Sequence, residues 1–125
     1  MDKDKITAQY NSDIRKNEQK MNELLSQKRN LEEKRKKLLE WKRRDQAYYN
    51  QLRNEMYGDG VKQDAKMVEN LLDSTQHACR RIEQGFEQEY EDIERRRKQL
   101  SAQKDDYQAN YRRDMQNIDK QRDEK

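Results

Sequence analysis

The sequence predicts an all-α protein, an antiparallel two-helix hairpin that packs as a coiled coil. Of its 125 residues, 44% are charged, 30% are hydrophobic and none is proline. Ordinary globular domains have roughly 45–50% apolar and about 25% charged residues, so this chain cannot enclose a wide core. Ala, Glu, Lys, Leu and Arg make up nearly half of it, as is typical of long helices. The apolar residues also recur at seven-residue spacing, which is the pattern of helices packed along their length.

The turn of this hairpin is predicted from glycine. Two of the three glycines lie in Tyr57-Gly58-Asp59-Gly60, and glycine readily takes the left-handed conformation that ends a helix. We expect Gly58 to take that conformation and Asp59 to cap the following helix. The prediction is a single hairpin over 1–125, with helix one at about 6–57, a turn at 58–60 and helix two at about 61–121.

Helix one is predicted from two apolar seams, which are rows of residues seven apart. The first contains Tyr10, Leu24, Leu31, Leu38 and Leu52, and Asn17 and Asp45 interrupt it. The second contains Ile14, Met21, Tyr49 and Met56, and Lys28, Arg35 and Lys42 interrupt it. Such paired seams are typical of a helix that packs against another along its length.

Helix two has one uninterrupted seam of Ala65, Leu72, Cys79, Phe86, Ile93, Leu100 and Tyr107. Val61, Val68, Thr75 and Ile82 form the beginning of its second seam, which Glu89, Arg96, Gln103 and Asn110 continue. Cys79 is expected to be a small buried hydrophobe on the first seam. The poor helix formers at 73–75, or Gly85, are places where the helix could bend.

Opposed charge blocks favour an antiparallel arrangement of the two helices. Residues 28–44 carry nine Lys/Arg and three Glu, whereas residues 83–94 carry six Asp/Glu and no base. With a turn centred near 59, residues 28–35 are expected to face residues 83–90. Within the helices, several Glu/Lys, Glu/Arg and Asp/Arg pairs have the favourable i,i+4 spacing, namely Glu32/Lys36, Glu33/Lys37, Glu40/Arg44, Glu91/Arg95 and Asp92/Arg96.

Several function classes are disfavoured by what the sequence contains. No phosphate-binding loop, nucleophile elbow or Cys/His pair occurs, so no enzyme, cofactor or metal site is expected. No apolar run is longer than three residues, far short of the about 20 that a membrane span needs. The basic block is diluted by glutamates and lacks interleaved aromatic rings, which disfavours nucleic-acid binding. With no signal peptide at the start, we expect a cytoplasmic protein, or one exported with a client.

A thin two-helix scaffold usually needs a partner or self-association for stability, so protein binding is the expected function. Trp and Tyr are frequent binding anchors, and Trp41 and Tyr48 lie seven residues apart on one face. The alternative is that these rings only cover the edge of the hairpin's own seam. The residues expected to bind a partner are Leu24, Leu31, Leu38, Trp41, Tyr48, Tyr49, Leu52, Phe86, Ile93, Leu100 and Tyr107.

Two stretches give the chain a family resemblance. IRKNEQKMNELLSQKRNLEEKRKKLLEWKRRDQAYY and RRIEQGFEQEYEDIERRRKQLSAQKDDYQANYRR, with a KNEQ-type opening and an F-E-x-E-Y and Y-x-x-x-Y-R-R closing pattern, resemble the second family of LXG-associated α-helical proteins. The resemblance implies a non-enzymatic targeting factor of type VIIb secretion. It would bind the helical N-terminal domain of an LXG toxin, together with a small WXG-like partner, and make the toxin competent for export.

Two other interpretations remain open at the level of sequence. The architecture is similar to that of the flagellar and type III secretion stalk protein, a charged antiparallel hairpin that acts in an export ATPase ring. A structural coiled coil that forms a homodimer when alone is the other. The chain differs from WXG-type hairpins themselves, because Trp41 is followed by Lys42 and Arg43 instead of a W-x-G turn.

Overall fold

The computed structural model describes residues 3–123, and over that range it consists of two α-helices and no strand. Helix α1 spans Lys3–Gly58 and helix α2 spans Lys62–Asp123. The predicted all-α helical hairpin is therefore confirmed. Helix α2 is continuous through 73–75 and through Gly85, so neither candidate bend interrupts it. Packing along a long helix outweighs the small propensity penalty of a few poor helix formers.

The turn is built differently from the sequence prediction. The Val61 amide donates to the Met56 carbonyl at 2.9 Å and the Gly60 amide donates to the Tyr57 carbonyl at 3.2 Å, which is the Schellman pattern of a helix C-terminus. Gly60 takes the left-handed conformation, with φ of +82°, so the assignment of that role to Gly58 is wrong. Asp59 does not cap α2, because the first helical bond runs from the Ala65 amide to the Val61 carbonyl at 3.1 Å.

The chain divides into two compact units, which we describe separately. The turn unit is Arg29–Tyr90, and the terminal unit combines Met1–Lys28 with Glu91–Lys125. Each unit contains one segment of α1 and one of α2. The core of each is consequently a narrow stripe between two helical segments.

In the turn unit the buried apolar side chains are Leu31, Ala65, Val68, Leu72 and Cys79. Cys79 is a free thiol with only 1% of its surface exposed, which confirms that it is a small buried hydrophobe. An ion pair between Lys42 Nζ and Glu83 Oε1 at 3.7 Å joins the two helical segments.

In the terminal unit the buried apolar side chains are Leu24 and Ile93, and Asn17 is a buried polar residue. The rings of Tyr10 and Tyr111 stack with their centroids 4.2 Å apart. Two ion pairs also join the helical segments, Lys3 with Asp119 and Lys28 with Glu94. Aromatic stacking and ion pairing therefore supplement an apolar core that is small.

The predicted charge blocks do meet, but the ion pairs between them are displaced from the predicted register by four and seven residues, whereas the Asn17–Leu100 hydrogen bond lies within one residue of that register. Lys28 pairs with Glu94 in the terminal unit, and Lys42 pairs with Glu83 in the turn unit, whereas residues 28–35 were expected to face residues 83–90. Part of the difference follows from the turn, because its left-handed residue is Gly60 and its centre lies beyond 59. The long Lys and Glu side chains span the rest.

The second seam of α2 also differs from its prediction. Ile82, Glu89, Arg96, Gln103 and Asn110 are exposed, and the residue that follows each of them is partly buried instead. An α-helix drifts by about 20° per heptad relative to a strict seven-residue repeat. The drift accumulates until the next residue faces the other helix. The half-buried positions are Glu83, Tyr90, Arg97, Lys104 and Tyr111.

Candidate interaction surface

Exposed large apolar side chains are concentrated in the turn unit. Within residues 3–123, all of them lie between 39 and 82, and the described part of the terminal unit has none. Exposed apolar side chains grouped on one part of a molecule indicate an interaction site. They are Leu39, Trp41, Tyr48, Tyr57, Val61, Met67, Leu71 and Ile82.

The residues predicted to bind a partner fall into three groups. Leu24, Leu31 and Ile93 are buried, so they hold the helices together and are not accessible in the folded chain. A second group is partly buried at the helix interface and comprises Leu38, Tyr49, Leu52, Phe86, Leu100 and Tyr107. Only Trp41 and Tyr48 are exposed, with 44% and 62% of their surface accessible.

Six of the eight exposed apolar residues were absent from the predicted binding residues, namely Leu39, Tyr57, Val61, Met67, Leu71 and Ile82. Leu71 precedes the buried Leu72, and an apolar residue beside a seam is the only signal for it in the sequence. Ile82 lies on the predicted second seam, and the drift of that seam leaves it outside the core.

Trp41 and Ile82 lie on the same side of the turn unit. Lys42 on α1 forms an ion pair with Glu83 on α2. The residues just before them, Trp41 and Ile82, therefore lie at nearly the same level along the two helices. Consecutive residues of an α-helix are separated by about 100° around its axis. Because α1 and α2 run in opposite directions, the residue before Lys42 and the residue before Glu83 are rotated toward the same side of the helix pair. Trp41 and Ile82 are also equally exposed, at 44% and 45%. We call this side the Trp41 face.

Tyr48 and Leu71 extend the Trp41 face along the two helices. Tyr48 is seven residues from Trp41 and Leu71 is eleven from Ile82, which are close to two and three whole turns. The Tyr48 ring makes an edge contact with the partly buried ring of Tyr49, with centroids 5.4 Å apart and an interplanar angle of 70°. This contact restrains the Tyr48 side chain while leaving most of it accessible.

The opposite side of the turn unit carries Leu39 and Tyr57. The Tyr57 hydroxyl donates a hydrogen bond of 2.8 Å to Glu69 Oε1. This bond, followed by desolvation and the negative charge of Glu69, raises the pKa of Tyr57 above its ordinary value. Tyr57 is thus engaged within the hairpin, and the Trp41 face carries four exposed large apolar residues, Trp41, Tyr48, Leu71 and Ile82, against Leu39 and Tyr57 on the opposite side.

Basic side chains border Trp41 on the surface of α1. Lys34 and Lys37 precede Trp41 by seven and four residues, and Arg44 follows it by three. At these spacings the three basic residues share the helical face of Trp41. All three are exposed. The predicted i,i+4 pairs are absent in the described residues, where α2 instead forms the i,i+3 pairs Asp92–Arg95 and Glu94–Arg97. The basic residues around Trp41 therefore have no carboxylate partner among residues 3–123.

Residues 3–123 contain no group of three or more His, Cys, Asp or Glu side chains arranged to hold a metal ion. Neither helix, as far as it is described, combines the length and the apolar character that a membrane span requires. No protein-family model matches the chain, and no curated protein or solved structure matches it significantly.

Proposed function

We propose that this chain is a non-enzymatic protein-binding hairpin that contributes an apolar face to a helical client. The observation that carries the proposal is the concentration of every exposed large apolar side chain of the described residues between 39 and 82. Water-exposed apolar surface is unfavourable by about 25 cal/mol per Å². A client that covers these side chains recovers that free energy.

The sequence resemblance supports a particular client. The LXG-associated α-helical family binds the helical N-terminal domain of an LXG toxin beside a small WXG-like partner, and prepares the toxin for type VIIb secretion. A helical client matches an exposed face formed by two helices, because helices pack by inserting side chains between those of their neighbours. The proposed function is that of a targeting factor for such a toxin.

The test is co-expression with the toxin's N-terminal domain and the WXG-like protein, followed by affinity capture and size-exclusion chromatography. We expect a stable complex, and we expect Trp41→Ala combined with Tyr48→Ala to weaken it by at least about tenfold, since truncated aromatic anchors cost more than about 1 kcal/mol. Leu39→Ala is the matched control, because Leu39 is as exposed as Trp41 but lies on the other side.

Two further measurements make the outcome decisive. Leu31→Asp should unfold the hairpin by circular dichroism, because Leu31 is buried in the turn unit. If Leu31→Asp unfolds the chain while the Trp41/Tyr48 variant still forms the complex, these rings are not anchors. A stable homodimer in sedimentation that binds no toxin domain would instead favour the self-associating coiled coil, and binding to an export ATPase would favour the stalk-like function.

A further inference from the structure

We infer that the Trp41 face binds a single amphipathic helix whose apolar stripe is bordered by acidic side chains. This inference rests on the proposed protein-binding function and deepens it by naming the surface and the chemistry of its partner. The surface consists of Trp41 and Tyr48 on α1 and Leu71 and Ile82 on α2, all of them exposed.

The dimensions of the face suit one helix lying along the groove between α1 and α2. At 1.5 Å per residue, Trp41 and Tyr48 are separated by about 10 Å along α1, and Leu71 and Ile82 by about 16 Å along α2. Three turns of a partner helix cover this length. Ala78, which lies between Leu71 and Ile82 on α2, is also exposed. Its small side chain allows a third helix to approach α2 closely.

Charge complementarity specifies the polar border of the partner. Lys34, Lys37 and Arg44 surround Trp41 and have no carboxylate partner within residues 3–123. Acidic residues beside the partner's apolar stripe would pair with them, and complementary charge at an interface increases both the association rate and the specificity.

A second copy of this chain is a poor occupant of the same face. In a two-fold symmetric dimer the same patch meets itself, so Lys34, Lys37 and Arg44 of both copies would be brought together. The chain's own acidic block is also partly committed, because Glu83 and Glu94 pair with Lys42 and Lys28. The surface is therefore better suited to a different, acidic helix.

The experiment is a display selection against the full chain. The library consists of helical peptides of about three heptads with a fixed apolar stripe and randomised flanking positions. We expect acidic residues to be enriched at the flanks. The selected peptides should bind a Trp41→Ser/Ile82→Ser variant at least about tenfold more weakly, and a Leu39→Ser/Tyr57→Ser variant, altered on the opposite side, with little change.

Charge reversal provides the second arm of the test. Selection against Lys37→Glu/Arg44→Glu should lose the acidic enrichment, whereas Lys36→Glu/Arg43→Glu, two basic positions that face away from the groove, should retain it. Recovery of no binder, of peptides without acidic flanks, or of binders indifferent to Trp41 and Ile82 overturns the inference. Sedimentation that shows dimerisation through this face, abolished by Trp41→Ser, also overturns it in favour of a second copy.

The two proposals fail separately. If acidic helices bind the Trp41 face but the toxin domain does not co-purify, the face is correctly assigned and the LXG client is wrong. If the toxin domain binds with equal affinity to the Trp41→Ser/Ile82→Ser variant, the proposed function stands and the assigned face is wrong.

Discussion

Asn17 offers a sensitive test of how the terminal unit is held together. Asn17 is 3% exposed and lies on the seam between Tyr10 and Leu24, and its Nδ2 donates to the Leu100 carbonyl at 2.8 Å and to Gln103 Oε1 at 3.2 Å. A polar residue in a coiled-coil seam commonly fixes the register of pairing at a cost in stability. Replacing Asn17 should therefore affect the free energy of unfolding and the specificity of helix pairing in different ways.

The magnitude follows from what each substitution removes and adds. Two hydrogen bonds contribute about 0.5–1.5 kcal/mol each, so Asn17→Ala should lower the free energy of unfolding by about 1–3 kcal/mol. Asn17→Leu loses the same bonds but buries a leucine, which stabilises by about 1.5–3 kcal/mol. Neither former acceptor is stranded, because the Leu100 carbonyl also accepts a bond within α2 and Gln103 is exposed. The net effect of Asn17→Leu is expected to be within about 1 kcal/mol of zero.

The assay is urea unfolding followed by circular dichroism, together with sedimentation velocity. Asn22→Leu is the control, because Asn22 is exposed on the same segment of α1 and reports the change in helix propensity alone. We also expect Asn17→Leu to form more of any larger species than the parent chain does. If both Asn17 variants are destabilised by the same amount, and by more than about 2 kcal/mol, burial of a leucine does not offset the lost hydrogen bonds and the reasoning is refuted.

Two further predictions concern the turn and a surface ion pair. Gly60→Ala should lower the free energy of unfolding by about 1–2 kcal/mol because a Cβ is disfavoured at a φ of +82°. Gly58 lies within α1, and a Cβ added there would meet no neighbouring atom within 4 Å. Gly58→Ala should therefore raise the free energy of unfolding by about 0.5–1 kcal/mol. Urea unfolding measures both, and a Gly60→Ala chain as stable as the parent would contradict the turn geometry. The hydrogen bond from Arg97, ahead of the charges of Arg97 and Lys28, lowers the pKa of Glu94 against the opposing effect of desolvation. The stabilisation from this pair is thus present above the ordinary carboxyl pKa and is lost as the pH falls through the lowered value. In an NMR titration, Arg97→Gln should raise the pKa of Glu94 and Arg95→Gln, which removes the separate Asp92 pair, should not; equal shifts would refute the assignment.

The helices and the hairpin were predictable because they depend on local and periodic signals. Glycine placement located the turn to within a few residues, and the seven-residue seams identified Leu24, Leu31, Leu72 and Cys79 as inward-facing positions. These signals depend on the order of glycines and apolar residues along the chain, which a single sequence contains in full.

The exact pairing and the exposed face were not predictable to the same degree. Whether Gly58 or Gly60 takes the left-handed conformation depends on backbone hydrogen bonds that both glycines allow, and that choice moves the register of the charged side chains. Asn17 appeared in the sequence as an interruption of a seam, because its acceptors on α2 become neighbours only after pairing. Because α2 drifts relative to a strict heptad repeat, Ile82 is exposed, and it lies on the same side of the turn unit as Trp41.

The Lys3–Asp119 ion pair places the two ends of the described chain side by side in the terminal unit. Polypeptide attached before residue 3 and after residue 123 would consequently leave the hairpin at neighbouring points. The whole element could then be inserted into a surface loop of another protein without separating the two halves of its host. In such a fusion both chain ends would join the host at one place, so the hairpin could be transferred to an unrelated scaffold together with the proposed binding face.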